Sequence, residues 1–296
     1  MPQSQVPVLR SVFAAYAFFI AHWRPILVAG IPYTAAYAAQ LALLQTQRAG
    51  DAQAVLGLGL MALSIVTLVT SVALSAAALR MAVRGDFGGW LGLRLGQDEF
   101  RIFVVSILVA LLTLIVFVLV FLFWGTLFGT IAAGSLERAG IDPETAGFDL
   151  AQATGYMGTA DWVIVVLSGL AGLAIVAWLS ARLVLSLPAT IAQGAIRVMK
   201  VWPLSHRNGW RIAAALVLAG VPVTIVELGL YEVLSAMLGH RVIDVTAVLG
   251  PEFAETPGIA RMREYSLWMG LFSAINIPVF SGLYAYIHQN RTRALA

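Results

Sequence analysis

Glu227 in GVPVTIVELGLYEVL and Asn276 in SAINIPVF are polar residues set in long apolar runs, each close to a proline, Pro222 and Pro278 respectively. A charged side chain deep in a membrane helix costs about 2.5–3.5 kcal/mol on insertion scales, so a carboxyl group there needs a reason. Two chemistries fit. Glu227 can titrate as a relay for protons or cations, with Asn276 as its hydrogen-bonding neighbour, or it can stay protonated or bonded to an adjacent helix and hold a bundle together. The prolines suit either role, because each removes a backbone donor and can kink its helix. The rest of the reactive inventory is sparse. The chain has no cysteine, which removes disulfides, thiolate metal sites and a thiol nucleophile. His22, His206, His240 and His288 fall in four separate segments, unlike a metal site or a histidine-based catalytic centre. LGLGL at 56–60 has no Lys-Ser/Thr after it, so it is no phosphate loop. The sequence therefore predicts no catalytic residues, no cofactor and no metal.

The densest charge is basic. KVWPLSHRNGWRI places Lys200, His206, Arg207 and Arg211 in one short stretch with no acidic residue. Lys200, Arg207 and Arg211, together with Arg24, Arg101 and Arg182, are the candidates for facing anionic lipid headgroups, which attract Lys and Arg at about 1 kcal/mol each near the surface. Nothing in their spacing points to nucleic acid.

The elements that must position these residues follow from composition. The chain has 296 residues, 60% of them hydrophobic and 11% charged, with a mean hydropathy of +0.88. That balance predicts a single all-α integral membrane domain over 1–296 and excludes a water-soluble fold. Six segments are long enough to cross about 30 Å of hydrocarbon at 1.5 Å per residue: roughly 25–45, 55–79, 102–133, 162–184, 212–236 and 266–287. The third is overlong and is expected to tilt or emerge before it ends. Residues 1–24 read as an interfacial helix, not a cleaved signal, with Val8, Leu9, Val12, Phe13, Tyr16, Phe19, Ile20 and Trp23 on one face. If six spans alternate, 13 of the 18 cations share the side of the termini, while ten acids, among them Glu144 and Glu255, fall opposite. The positive-inside rule then places both termini in the cytoplasm, and the expected setting is a bacterial inner membrane.

Trp23-Arg24, Phe100-Arg101 and Trp210-Arg211 each set an aromatic residue and an arginine before an odd-numbered span, and each follows a part-apolar elbow, 7–22, 86–99 and 188–209. The pattern predicts a threefold repeat of elbow and helical hairpin. Gly125, Gly129 and Ala133 in the third span, and Ser168 and Gly172 in the fourth, are small faces for close helix approach, within the chain or between chains.

Ala181–Leu218, with Arg182, Pro188, Leu204, Asn208-Gly209 and Trp210-Arg211, resembles the junction of the fourth and fifth helices in a six-helix membrane domain. That domain is found ahead of some bacterial glycerophosphoryl diester phosphodiesterases and in stand-alone membrane proteins of unassigned role. The resemblance implies six spans with both ends inside, over nearly the whole chain. No phosphodiesterase domain lies within the sequence, so the activity is not expected here. The leading expectation is a non-enzymatic membrane protein that organises lipid, or partner proteins, through its elbows and basic loops. Its expected partners are membrane lipids with anionic headgroups on the cytoplasmic side, and a second copy or another membrane protein. The alternative is a small transporter or channel whose polar path passes Glu227 and Asn276.

Overall fold

The computed structural model describes residues 5–48, 53–89, 91–141, 149–238 and 257–295, and among them there is no strand. The helices are α1 (Val8–Ala21), α2 (Trp23–Arg48), α3 (Gln53–Arg84), α4 (Gln97–Arg138), α5 (Leu150–Gly155), α6 (Thr159–Leu183), α7 (Ser186–Gln193), α8 (Trp202–Ser205), α9 (Gly209–Leu238) and α10 (Pro257–Leu295). A 3₁₀ turn, Met199–Val201, precedes α8. Six helices, α2, α3, α4, α6, α9 and α10, are long and apolar enough to cross a membrane. Helix is the expected form, since each backbone donor and acceptor is then satisfied within its own segment. Asp51, Asp142, Glu144, His240, Arg241, Asp244, Glu252 and Glu255, which the sequence assigns to loops, lie outside the described residues.

The helices fall into a compact set and an outlying pair. In the compact set α10 lies against α2 and α3, and α1 and α9 close its other flank. The contact of α2 with α10 is made by small residues. A Cβ built on Gly270 would sit 2.8 Å from the Thr34 carbonyl oxygen, and one on Gly30 would sit 3.4 Å from the Ala274 Cβ. Small side chains admit such approach, and in lipid this dispersion contact, not water exclusion, holds helices together. The outlying pair is α4 with α6. Trp124 donates its indole N–H to the Val165 carbonyl at 2.9 Å, and its ring covers Gly169 while Val120 covers Gly172. Ala132, Leu136, Ala153, Met157 and Val165 close the far end of this pair. Gly172 thus lies in the pair, whereas a Cβ on Gly125 or Gly129 would meet nothing within 4 Å.

Helix α1 is oriented by what it buries. Ser11 and Ala15 are fully buried, and the ring of Phe18 fills the space above Gly282 of α10. Leu9, Phe13 and Ile20 face outward, 64%, 72% and 67% exposed. The stripe marked in the sequence is thus split: Val8, Val12, Tyr16 and Phe19 pack against the core beside Ser11 and Ala15, while Leu9, Phe13, Ile20 and Trp23 face outward. Tyr16 reaches inward and donates to the Ala219 carbonyl of α9 at 2.5 Å. Burial pushes its phenol above the usual range, partly offset by a hydrogen bond with the Val223 backbone, so it acts as a neutral donor to Ala219.

The three elbows differ in form. The first is the helix α1, the second irregular over 85–89 and 91–96, and the third the run from α7 through α8. Long-range bonds nevertheless gather them at one end of the molecule. Val6 donates its N–H to Asn208 Oδ1 at 3.0 Å, Gln289 reaches the Ala82 carbonyl at 3.2 Å, and Arg291 Nε reaches the Leu204 carbonyl at 2.8 Å. We call this the elbow end.

Candidate functional site at the elbow end

The junction of α3, α4 and α7 is built from charges. Arg80, near the end of α3, pairs with Glu99 in the first turn of α4, and their side chains are 2% and 6% exposed. Glu99 also accepts the Gly96 N–H at 3.0 Å, so one carboxylate both caps α4 and neutralises Arg80. Arg84, one turn further along α3, binds Asp98 at 2.8 Å and donates to the Ile191 carbonyl near the end of α7. Asp98 is shared, because Arg101 approaches its other oxygen at 3.3 Å and also binds Gln97 at 3.0 Å. Two arginines on one aspartate leave this corner net positive.

Two openings flank that corner. An apolar groove of about 250 Å³ is lined by Val69, Val72, Leu95, Gly96, Glu99, Phe100 and Phe103. A wider recess of about 720 Å³ is lined by Gly96, Gln97, Phe100, Arg101, Gly194, Ala195 and Ile196. Gly96 and Phe100 belong to both, so the openings are neighbours across the start of α4.

The six cations marked in the sequence divide. Arg24, Lys200, Arg207 and Arg211 are exposed. Arg24 lies over the ring of Trp23 at 5.2 Å, and Arg211 reaches the Val6 carbonyl at 3.4 Å. Arg207 occupies the left-handed region, φ 58°, which turns the chain so that the buried Asn208 can start α9. Arg101 is intermediate, held as described above. Arg182 does not face outward: it is 7% exposed, with its guanidinium carbon 4.6 Å from the Trp178 ring centroid and 4.1 Å from that of Trp202. The two indoles stand edge to face, 88° apart, and the cation near both rings fastens α6 to α8. The same indole explains the glycine that opens α9, because a Cβ on Gly209 would sit 2.7 Å from Trp178 Nε1.

Glu227 and Asn276 are both half-buried. Glu227 of α9 lies close enough to Tyr37 of α2 to act on it electrostatically. Tyr37 stacks on Tyr33 with ring centroids 5.8 Å apart, and the Tyr33 hydroxyl is 2.7 Å from that of Ser273 on α10. Asn276 stands one turn beyond Ser273 on the same helix. Tyr37, Tyr33 and Ser273 thus form a short polar group between α2 and α10, within electrostatic reach of Glu227, that the sequence reading did not contain.

The sequence reading also missed Arg80–Glu99 and the tryptophan clamp. A trace of each was present: Glu99 three residues after a glycine that starts a helix, and Trp178 one turn before Arg182. Among the described residues no three His, Asp or Glu side chains gather as a metal site. No family model matches the chain, and no curated protein and no solved structure proved similar to it.

Proposed function

We propose that the chain is a non-enzymatic protein of a bacterial inner membrane, with both termini in the cytoplasm, that organises inner-leaflet lipid through its elbow end. The observation that carries this reading is the surface composition of that end. Arg24, Lys200, Arg207 and Arg211 are exposed there among outward-facing apolar groups, Leu9, Phe13, Trp23, Met199 and Trp210. Cations beside lipid-facing aromatic and aliphatic side chains suit a depth where headgroups meet acyl chains. On this reading α1 is an interfacial helix that dips Leu9, Phe13 and Ile20 into the leaflet. The test is lipid analysis of the full chain extracted from its membrane in a copolymer disc. Phosphatidylglycerol and cardiolipin should be enriched over the bulk membrane, and replacing Arg24, Lys200, Arg207 and Arg211 together by Gln should remove the enrichment. A disc with bulk composition would refute the proposal.

One observation favours a second reading, a small transporter or channel: the polar group of Tyr37, Tyr33 and Ser273 between α2 and α10, within electrostatic reach of Glu227 on α9. Glu227→Gln separates the two. An amide keeps most hydrogen bonds of a protonated carboxyl but releases no proton. The lipid reading expects normal stability and near-normal growth, whereas loss of ion flux at normal stability would establish the transporter.

A further inference from the structure

We propose that the junction of α3 and α4 holds one anionic phospholipid in a fixed place, its phosphate on Arg101 and one acyl chain along Val69, Val72 and Phe103. This rests on the lipid reading above and names a single bound molecule within it.

The shape comes first. Helices α3 and α4 share a core at the elbow end, where Val72, Ala76, Leu79, Ile102 and Ile191 are buried together. Away from that core each turns bulky apolar side chains outward: Leu58, Met61, Ile65 and Leu68 on α3, and Ile107, Leu111, Leu114 and Ile115 on α4. The apolar groove therefore opens between two lipid-exposed helix flanks. A chain lying in it touches Val69 and Phe103 and ends beside Gly96 and Phe100, where the polar recess begins.

Charge then selects the headgroup. Glu99 is neutralised by Arg80, and Asp98 lies between Arg84 and Arg101, so the corner carries one uncompensated positive charge. The guanidinium of Arg101 has more N–H donors than its bonds to Asp98 and Gln97 use. It borders the recess beside Gly194, where a Cβ would stand 3.7 Å from Arg101 Nη1. A phosphate diester can accept those remaining donors, and its glycerol sets the acyl chain at the mouth of the groove. A free phosphate would use only half of the site, which is why a phospholipid is the occupant.

The full chain is reconstituted in discs of phosphatidylcholine containing a trace of phosphatidylglycerol with a photoreactive acyl chain, and the crosslinked peptides are mapped. The expected result is crosslinking concentrated on the peptides carrying Val69–Val72 and Phe100–Phe103. It should be displaced by unlabelled phosphatidylglycerol but neither by phosphatidylcholine nor by soluble glycerol phosphate. Arg101→Gln should lower it about tenfold, as for the loss of one charge-assisted bond, and Val69→Trp, which fills the groove and leaves the charges alone, should do the same at unchanged melting temperature. Crosslinks spread evenly over α3, α4 and α6, displacement by phosphatidylcholine or glycerol phosphate, or full labelling of folded Val69→Trp, would each overturn the proposal. If such a failure came while phosphatidylglycerol stayed enriched around the wild-type chain, only the fixed site would fall; loss of both would remove the lipid reading too.

Discussion

Arg80 and Glu99 show how much one ion pair can hold when neither partner reaches water. Removing one member leaves the other buried and uncompensated, at about 3–5 kcal/mol, while replacing both by apolar residues of similar size is far better tolerated. Glu99→Gln should accordingly melt much earlier in detergent than wild type, and Arg80→Met combined with Glu99→Leu should recover much of the loss. Equal loss in the double variant would mean that the cap on Gly96, not the pair, carries the stability. Arg182 makes a related point through its aromatic neighbours. Trp202→Ala should destabilise by about 1–2 kcal/mol through the lost cation–π contact, and Arg182→Lys should also lose stability, because a compact ammonium cannot spread over both rings as a guanidinium does. A Lys variant as stable as wild type would show that charge alone suffices. These residues were poorly legible in the sequence for a physical reason. Charge at a span's edge reads as a solvated loop, and only the fold tells whether another helix end stands opposite with the complementary group. Arg80 fell just past the expected end of its span at 79, opposite Glu99 in the first turn of α4.

Helices were the most legible level, because a bilayer fixes their length and the backbone has no other way to satisfy its donors. Their facing was not. The apolar stripe on α1 marks an interfacial helix but not its rotation against the bundle, because in lipid Leu and Phe are as well solvated outside as inside. There small residues mark the protein side, as Ser11 and Ala15 do. The same principle gives contrasting predictions for glycines. Gly270→Val would drive a side chain into the Thr34 carbonyl and should cost about 1–3 kcal/mol in thermal stability. Gly125→Leu and Gly129→Leu meet open space within the chain, so they should leave stability unchanged in a monomer. A shift in the sedimentation of those variants, with melting unaltered, would identify that face of α4 as a seat for a second copy.

The six spans, with every elbow gathered at one end, make a testable statement about orientation. Since the chain has no native cysteine, introduced ones report cleanly. A cysteine at Glu137, exposed at the far end of α4, should react with an impermeant reagent from outside the cell, and one at Arg207 should not. Reversed labelling would invert the map. The threefold pattern was readable only as far as its signposts, since Trp23, Phe100 and Trp210 all stand at the start of a membrane-length helix while the segments before them take three different forms. Lastly, the bonds that tie the two halves together have a consequence in time. Val6 meets Asn208 across 202 positions, Tyr16 meets Ala219 across 203 and Tyr33 meets Ser273 across 240. At about 5–20 residues per second, synthesis leaves the first two helices in the membrane for about 10–40 s before their partners emerge. Meanwhile α4 and α6 can already join, being near neighbours in sequence. The newborn chain is thus expected to hold a finished hairpin beside an unfinished start, with Tyr16 and Tyr33 unpaired until the last helices arrive; ribosome-stalled chains ending before Gly209 should leave Val6 open to protease, and chains extended past α10 should protect it.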